Sequence, residues 1–434
     1  MTAAHVAVIG AGASGTMQAL HLLREGVARV TLIEREREPG LGTAYGTRRP
    51  EHLLNVTARR MSVFPDDPDH FARWLTARGG AAEDYAPRMV FGEYLRGLME
   101  AARGRLDVVE GEAVGAALDG AAEVNLGDGR AVAADAVVLA LGNLRPAPLA
   151  GVPPRALGRA YVDDPWFGRL RDALGDEDQV LLIGTGLTAV DAALTLDATG
   201  FRGRILALSR RGQMPRGHLR REPVAEPMAE FPGGCVGLLR AVRRRSAEIG
   251  WREAVHEVRQ AVQRLWSAAP MIERRRFLRH LRPWWDVHRH RIAPDVADRI
   301  AGMQQGGRLS VAAGRVLGAV RDAEAAAVTW RPRGGGEPER IRVARIVNCS
   351  GPELDIRRAG EPLLDHLLQA GSIRPDPCRL GIEVDPHSRA VSAGGAPSDR
   401  LFAIGPITRG AFWESIAVAD IAVQAQAVAR RIAA

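Results

Sequence analysis

The sequence predicts an α/β fold with two parallel sheets, because two strand–turn–helix–strand units of almost equal length occur far apart in the chain. The first unit spans residues 5–34 and the second spans residues 180–209. Each unit starts with a short apolar run, passes through a glycine-containing turn into a helical segment, and ends in a second apolar run. A helix that joins two strands in this way places them parallel in one sheet. We therefore expect one parallel sheet around each unit.

The turn of the first unit has the pattern Gly-x-Gly-x-x-Gly, which binds a dinucleotide when it lies between a strand and a helix. Gly10 permits the tight turn, Gly12 lets the backbone approach a pyrophosphate, and Gly15 lets the helix pack closely on the strand. Ser14 belongs to the same turn, and the N-terminus of the helix offers N–H donors to phosphate. Glu34 ends the second strand and can accept a hydrogen bond from a ribose hydroxyl, which suits FAD.

The second unit carries a related turn in which alanine replaces the third glycine. Its second strand ends in serine and two arginines instead of an acidic residue. An acid would repel a 2′-phosphate, whereas serine and arginine would bind one, so this unit suits NADPH. The alternative is that the two arginines are only solvated. The expected contacts of NADPH are Gly184, Gly186, Thr188, Ser209, Arg210 and Arg211.

The positions of the two units predict an insertion of one domain into the other. A proline-rich stretch at residues 143–156 is typical of a crossover between domains. We expect residues 1–150 to form the first part of the FAD-binding domain and residues 346–434 its second part. Residues 151–345 would then form the NADPH-binding domain, with a helical insertion at residues 223–305. Residues 235–303 within it lack turn signals and carry helical periodicity, and Pro270 and Pro283 are expected to divide them into three helices.

The composition excludes several kinds of chemistry. The chain has three widely separated cysteines, Cys235, Cys349 and Cys378, which argues against a disulfide framework, a zinc ribbon and a dithiol redox centre. It has no lysine, so a Schiff-base lysine and a P-loop lysine are excluded and a cofactor must supply the difficult chemistry. We expect no bound metal. We also find no signal peptide and no apolar run of the ~18 residues that cross a membrane, and we expect a cytoplasmic protein.

Three motifs resemble those of bacterial FAD/NAD(P)-binding flavoproteins. They are GxGxSG at residues 10–15, GxGTAYGT at residues 40–47 and HLLN at residues 52–55. More remotely, the chain is similar to class B flavin monooxygenases, which include N-hydroxylating enzymes. Those enzymes that perform Baeyer–Villiger reactions carry FxGxxxHxxxW at the domain junction, where this chain keeps Trp166 but lacks the histidine. The resemblance therefore favours N-oxygenation, or simple reduction by NADPH, over Baeyer–Villiger chemistry.

The resemblance also implies contacts with the flavin. It places Asn55, Met61 and Ser62 near the flavin and Gly142 at a strand end where the chain crosses between domains. Gly405 would contact the ribityl–phosphate region. The last helix, expected from about Trp413, would direct its N-terminus at the pyrimidine edge of the isoalloxazine, where its dipole stabilises negative charge on reduced flavin. The residues expected there are Trp413 and Glu414.

The function implied is that of an FAD- and NADPH-dependent oxidoreductase. As a flavin monooxygenase it would use O₂ to oxygenate a small, carboxylate-bearing amine through a C4a-hydroperoxyflavin, with the cofactor carrying the chemistry. Two alternatives remain open at this stage. One is a reductase that passes the flavin hydride to an organic acceptor, and the other is a non-enzymatic redox sensor. We expect neither a nucleic acid nor a membrane as partner, and the sequence leaves the oligomeric state open.

An arginine-rich stretch supplies candidate substrate contacts. Residues 240–299 hold 15 arginines against 7 acidic residues. Nucleic-acid binding is a weaker explanation for this excess, given the dinucleotide motifs. Arg279 and Arg282 share a helix face with Arg276 and precede Trp284, and a pocket of arginine and aromatic side chains would suit a carboxylate. The alternative is a solvated or domain-packing helix pair.

A second candidate set follows the FAD unit. Asp66, Asp67 and His70 could act as an acid/base set close to the flavin. The alternative is that the two aspartates form a loop and an N-cap before a helix that starts near Pro68.

Overall fold

The computed structural model describes residues 4–36, 38–118, 120–166, 168, 170–220 and 231–434. The first residues of the predicted helical insertion, up to 230, lie outside the described residues. In chain order the strands are β1 (His5–Ile9), β2 (Arg29–Glu34), β3 (Leu106–Glu110), β4 (Ala113–Ala117), β5 (Ala122–Leu126), β6 (Ala131–Ala134), β7 (Ala136–Leu139), β8 (Tyr161–Val162), β9 (Gln179–Ile183), β10 (Arg204–Ser209), β11 (Leu309–Asp322), β12 (Ala325–Pro332), β13 (Glu339–Val343), β14 (Arg345–Asn348), β15 (Arg389–Val391) and β16 (Pro397–Ala403).

The helices lie between these strands and after the last of them. In chain order they are α1 (Ala13–Arg24), α2 (Gly42–Tyr45), α3 (His70–Thr76), α4 (Arg88–Ala101), α5 (Pro154–Leu157), α6 (Leu187–Ala198), α7 (Cys235–Ile249), α8 (Trp251–Ala268), α9 (Met271–Arg276), α10 (Arg282–Arg289), α11 (Pro294–Gln305), α12 (Pro362–Gln369) and α13 (Val418–Ala433). None of these described helices is both long and apolar enough to cross a membrane.

The first sheet is assembled from both ends of the chain. Its strand order is β15-β16-β7-β1-β2-β3, and all neighbours are parallel except the pair β15–β16. One face packs against α1, α4 and α13. The other face packs against α12 and a small antiparallel sheet of β4, β5 and β6. The strands buried on both faces are continuous apolar runs, as parallel sheets require.

The second sheet contains the second predicted unit. Its order is β13-β12-β11-β10-β9-β14-β8, with β11 to β10, β10 to β9, β9 to β14 and β14 to β8 parallel. Strands β12 and β13 add an antiparallel extension. Two parallel sheets built around the two glycine turns confirm the predicted α/β fold class. The predicted boundary after residue 345 falls inside β14, because that strand pairs with β9 as far as Asn348.

The arginine-rich stretch forms helices α7 to α11, between β10 and β11. Pro270 caps α9, as its effect on helix boundaries suggests. Pro283 does not separate two helices as we expected from the sequence. The chain instead passes from α9 through one π-helical segment, Phe277–Leu281, directly into α10. The wider π turn accommodates the proline, which has no N–H to donate and would otherwise crowd the preceding turn.

Candidate cofactor and substrate cleft

One large cleft is lined by both glycine turns. Its volume is about 1740 Å³, well above the roughly 300–1,000 Å³ of a typical small-molecule pocket. Gly12 and Ser14 line it from the first unit, and Gly186 and Thr188 line it from the second. Both turns follow the carboxyl ends of parallel strands, which is where α/β proteins bind nucleotides. A site of this size and placement can hold two dinucleotides side by side.

The first glycine turn has the shape of a phosphate cradle. Gly10 has a φ of +97°, and a Cβ at Gly15 would collide with the carbonyl oxygen of Gly10, so neither position accepts a side chain. Gly12 differs, because a Cβ there would meet only Gly42, with the Cα at 3.5 Å. Gly12 is also the N-cap of α1 and lines the cleft. The space in front of the helix N-terminus is therefore open because residue 12 is glycine. This space fits the pyrophosphate of FAD, and a side chain at Gly12 would fill it.

Glu34 shapes this cradle as well as facing the cleft. Its Oε2 accepts a hydrogen bond from the N–H of Ala11 at 2.7 Å, and its Oε1 accepts one from the N–H of Glu36 at 3.1 Å. A carboxylate can accept about four hydrogen bonds, so lone pairs remain for a ribose hydroxyl. The N–H of Gly40 donates to the carbonyl oxygen of Ala11 at 2.6 Å. The GxGTAYGT motif thus packs against the cradle, and its residues Gly42 to Gly46 line the same cleft.

The second glycine turn repeats this geometry. Gly184 has a φ of +125°, and a Cβ there would collide with the carbonyl oxygen of Cys349. Gly186 is the N-cap of α6, and a Cβ there would have no neighbour within 4 Å. Thr188 lies in the first turn of α6 and lines the cleft, so the free N–H groups of this helix end point to a second phosphate position.

The predicted 2′-phosphate contacts end strand β10. The Ser209 hydroxyl lies 2.9 Å from that of Thr185 and accepts a hydrogen bond from the N–H of Gly212. Arg210 is exposed and Arg211 half-buried, and neither forms an ion pair with another described residue. Neither arginine lines the cleft itself. Both guanidinium groups are therefore available to a 2′-phosphate that extends beyond the cleft wall.

We expect flavin reduction to favour NADPH over NADH by at least about tenfold in kcat/KM. The reason is that one hydrogen bond between charged groups contributes roughly 1.5–3 kcal/mol. Replacing both Arg210 and Arg211 with serine should remove most of this preference and leave the rate with NADH nearly unchanged. The measurement is the rate of flavin bleaching without oxygen. Equal rates with the two nucleotides in the unmodified protein would show that these arginines do not bind the 2′-phosphate.

A buried polar network joins the two sheets across the cleft. The carboxylate of Asp191 on α6 pairs with Arg88 on α4 at 2.7 Å and 3.1 Å and accepts a hydrogen bond from the indole N–H of Trp166. His52, which is fully buried, lies 2.8 Å from the hydroxyl of Thr47 and 2.9 Å from that of Thr195. The HLLN motif therefore contributes a histidine that fixes the NADPH-side helix. The sequence signalled the motif but not this role.

The last helix begins later than we predicted. Residues 413–417 form a turn, and α13 starts at Val418 with Ala417 as an N-cap that makes no side-chain cap. Ile416 and Ala417 to Ala419 line the cleft, so the N-terminus of the helix still opens into it. The N–H groups that would stabilise negative charge on reduced flavin are therefore those at Val418 and the residues that follow it, which have no hydrogen-bond partner within the helix.

The structure corrects the expected flavin contacts of Trp413 and Glu414. Trp413 is fully buried behind the cleft, packed on Trp266 with ring centroids 4.7 Å apart. Glu414 is also buried, and its carboxylate pairs with Arg289 at 2.7 Å. Both lie in the turn before α13 and not on the helix, because the helix starts at Val418. Gly405 has a φ of +73° and packs against Ser14, but it is not part of the cleft wall.

Four of the other predicted flavin contacts do line the cleft. They are Asn55, Met61, Ser62 and Gly142. The Ser62 hydroxyl already donates within its own loop, with the carbonyl oxygens of Phe64 and Asp67 at 3.1 Å and 2.6 Å. Ser62 therefore shapes the loop, and its contact with a flavin would come through other atoms. Gly142 has a φ of +66° after strand β7, which only glycine adopts freely.

The proposed acid/base set is not assembled. Asp66 and Asp67 form exposed ion pairs with Arg24 and Arg73, each at 2.6 Å. His70 begins α3, and its Nδ1 lies 2.8 Å from the hydroxyl of Tyr94. None of the three lines the cleft. The loop interpretation holds, although Asp69, the N-cap of α3, makes no side-chain cap.

The candidate substrate contacts on the arginine-rich stretch are also displaced. Arg279 is exposed, Trp284 is 47% exposed, and Arg282 contacts Asp286 at 3.4 Å. None of these three lines the cleft, whereas Asp286 and His290 do. The π-helical segment Phe277–Leu281 interrupts the single α-helical face on which the prediction placed Arg276, Arg279 and Arg282.

The cleft wall includes charged residues that the sequence analysis missed. They come from helix α8, from helix α10 and its C-cap residue, and from the turn after β16. They have no motif in common and come from three separate stretches of the chain, so their convergence carried no sequence signal. They are His256, Arg259, Asp286, Arg289, His290 and Arg409. Burial is the main reason that the pKa of His290 lies well below its ordinary value, with nearby Arg289 adding to the effect.

Comparison with known proteins agrees with this geometry. Residues 7–144 match the FAD-NAD(P)-binding family, so this part of the chain is an FAD/NAD(P)-binding domain. A segment of 84 residues is 31% identical to the nitrosuccinic acid synthase of Aspergillus oryzae, and it covers 18% of this chain and 13% of that relative. The chain thus matches about an eighth of that relative's length.

Solved structures share the fold over almost the whole chain. The ornithine N-hydroxylase of Kutzneria sp. 744, in a form with reduced FAD, NADP⁺ and L-ornithine, has a TM-score of 0.71 at 16% identity, covering 100% of this chain and 99% of its own. The L-lysine 6-monooxygenase of Pseudomonas syringae has a TM-score of 0.66 at 15% identity, covering 98% of each chain. The cadaverine monooxygenase of Erwinia amylovora has a TM-score of 0.66 at 12% identity, covering 100% and 94%.

Proposed function

We propose that this protein is an FAD- and NADPH-dependent monooxygenase that oxygenates the nitrogen of a small amine. The observation that supports this most strongly is the single cleft lined by two dinucleotide-binding turns, each at the N-terminus of a helix. The fold is shared with hydroxylases of ornithine, lysine and cadaverine. NADPH, O₂ and the amine would be its small-molecule partners, and the use of NADPH is consistent with a cytoplasmic location.

The residues of the chain have to bind the two nucleotides, orient them and shield the reaction from water. Gly10, Gly12 and Glu34 would hold FAD, and Gly186 with the residues that end β10 would hold NADPH. Bound FAD would accept a hydride from NADPH and, once reduced, activate O₂. The ion pair between Arg88 and Asp191 fixes α4 relative to α6 and so keeps the two nucleotide sites in register. Helices α8 and α10 line the same cleft and would exclude water from it.

A reductase that passes hydride to an organic acceptor is the second candidate. Both functions need the same two nucleotide sites, so the cleft by itself suits either. The convergence of charged side chains from α8, α10 and the turn after β16 favours a polar substrate such as an amine.

We expect at least one small amine or amino acid to accelerate NADPH consumption and to be recovered as an N-oxygenated product. The experiment is a screen of such compounds with the FAD-loaded protein, in which NADPH, H₂O₂ and the product mass are all measured. An oxygenase yields product in proportion to NADPH, because the cleft protects the oxidising species. Reoxidation of the flavin by organic acceptors alone, without oxygen in any product, would establish the reductase instead.

A further inference from the structure

Arg409 is a buried cation whose guanidinium has no hydrogen-bond partner among the described residues. Its side chain is 8% exposed and lines the cleft directly after the turn Gly405–Thr408. The guanidinium lies over the ring of Trp413, 4.3 Å from the centroid. It forms no hydrogen bond to any described residue, and its Nε is fully buried. The nearest carboxylate oxygen is Oδ1 of Asp286, at 3.9 Å.

Asp286 presents the complementary half of the same arrangement. Its Oδ2 lies 3.4 Å from the Nε of Arg282, but its Oδ1 is buried and has no hydrogen-bond partner among the described residues. A buried donor and a buried acceptor that lie close together without bonding are costly to leave unmet. Such groups usually serve a ligand that satisfies them, and both line the same cleft.

The charges of Arg409, Asp286 and their neighbours determine which ligand can form hydrogen bonds with both residues. Burial lowers the pKa of Arg409 to about 10, so the group remains cationic at neutral pH. Burial also raises the pKa of Asp286, although Arg282 and Arg409 oppose this. Arg289 is already paired with Glu414. The hydrogen-bonding groups that remain for a ligand are therefore the guanidinium donors of Arg409 and Oδ1 of Asp286. The distance from Nη2 of Arg409 to Oδ1 of Asp286 is 3.9 Å.

We propose that Arg409 binds the carboxylate of an α-amino acid and that Oδ1 of Asp286 binds its neighbouring α-nitrogen, which is the nitrogen that is oxygenated. This inference rests on the proposed function and specifies its substrate. An α-amino acid carries the two groups on one carbon, so it can reach both residues at once. A terminal side-chain amine lies several bonds from the carboxylate and could not. Ile416 to Ala419, at the start of α13, line the cleft as well, where the flavin ring is expected.

The same geometry gives Asp286 a role as proton acceptor. A protonated amine has no lone pair and cannot attack an electrophilic oxygen. When Oδ1 of Asp286 takes the proton, the N–H bond breaks and its electron pair stays on nitrogen. The raised pKa of Asp286 favours this acceptance. His290 lies 3.9 Å from the same oxygen, and its lowered pKa keeps the ring neutral, so it adds no positive charge beside the bound ammonium group.

The test compares substrates and variants in the FAD-loaded protein. The α-amino acids L-alanine, L-aspartate and L-ornithine are compared with cadaverine, which has no carboxylate, and with 4-aminobutyrate, whose carboxylate is distant. We expect an α-amino acid to be preferred and mass spectrometry to locate the oxygen on its α-nitrogen. Arg409→Gln should raise its KM by at least about tenfold, with Arg409→Lys in between. Asp286→Asn should lower kcat more than it raises KM and should move the acidic limb of the pH profile.

Arg279→Gln is the matched control, since Arg279 is exposed on the neighbouring helical segment and should leave all parameters unchanged. Oxygenation of L-ornithine on its side-chain nitrogen, or an equal loss for every amine in Arg409→Gln, would overturn the inference. So would a matching loss in the rate of flavin reduction by NADPH without amine, since Arg409 would then serve the flavin. If no amine is oxygenated, the proposed function fails. Perturbation of the flavin absorbance by L-alanine or L-aspartate, lost in Arg409→Gln, would still support the binding site, and its absence would overturn that too.

Discussion

Replacing Gly12 with valine is expected to abolish FAD retention while the chain still folds. Gly12 has a φ of −72°, which any residue adopts, and a Cβ there makes only ordinary contact with Gly42. The valine would stand in front of the helix N-terminus and displace the pyrophosphate. Each lost hydrogen bond to a charged group is worth about 1.5–3 kcal/mol, so the loss of two weakens FAD binding roughly 100-fold or more. The measurement is the flavin-to-protein ratio after gel filtration.

The two nucleotide sites provide reciprocal controls for this prediction. Gly186→Val changes the equivalent N-cap on α6, where a Cβ also has room. It should keep FAD and slow flavin reduction by NADPH. Gly97→Val, on the exposed face of α4 with no neighbour within 4 Å, should affect neither. A folded Gly12→Val protein that keeps stoichiometric FAD would disprove the assignment of the first turn.

Removing the carboxylate of Asp191 is expected to destabilise the protein by about 3–5 kcal/mol, because it leaves Arg88 buried without its partner. The side chains of the pair are 14% and 6% exposed. The pair also links α4 to α6, so Asp191→Ala should slow hydride transfer even where the protein remains folded. Urea denaturation of the FAD-loaded protein and the anaerobic rate of flavin reduction measure the two effects.

Asp66→Ala is the matched control for the buried pair. Asp66 pairs with Arg24 at 2.6 Å, but both side chains are about half exposed. Pairs of this kind contribute only about 0–1 kcal/mol. Similar denaturation midpoints for Asp66→Ala and Asp191→Ala would show that the network between the sheets does not hold them together.

Local pattern was enough to predict the parts of the fold that depend on neighbouring residues. Strand β1 begins and β2 ends at the predicted limits of the first unit, residues 5 and 34, because an apolar run before a glycine turn leaves little choice of structure. The start of α13 was misplaced, since the apolar residues before Val418 form a turn packed on Trp266. That contact spans nearly 150 residues of chain and has no local signal. Arg409 and Asp286 escaped prediction for the same reason.

The π-helical segment Phe277–Leu281 changes which residues of the arginine-rich stretch meet the cleft. Each π turn contains one residue more than an α turn, so every side chain after it is rotated by roughly 100° about the helix axis. The segment thus shifts the helical phase of all residues that follow it. As a result Asp286 and His290 line the cleft, and Arg279 and Arg282 do not. Deleting a single residue there would leave a helix of similar length and composition, but it would present a different row of side chains to whatever the cleft contains.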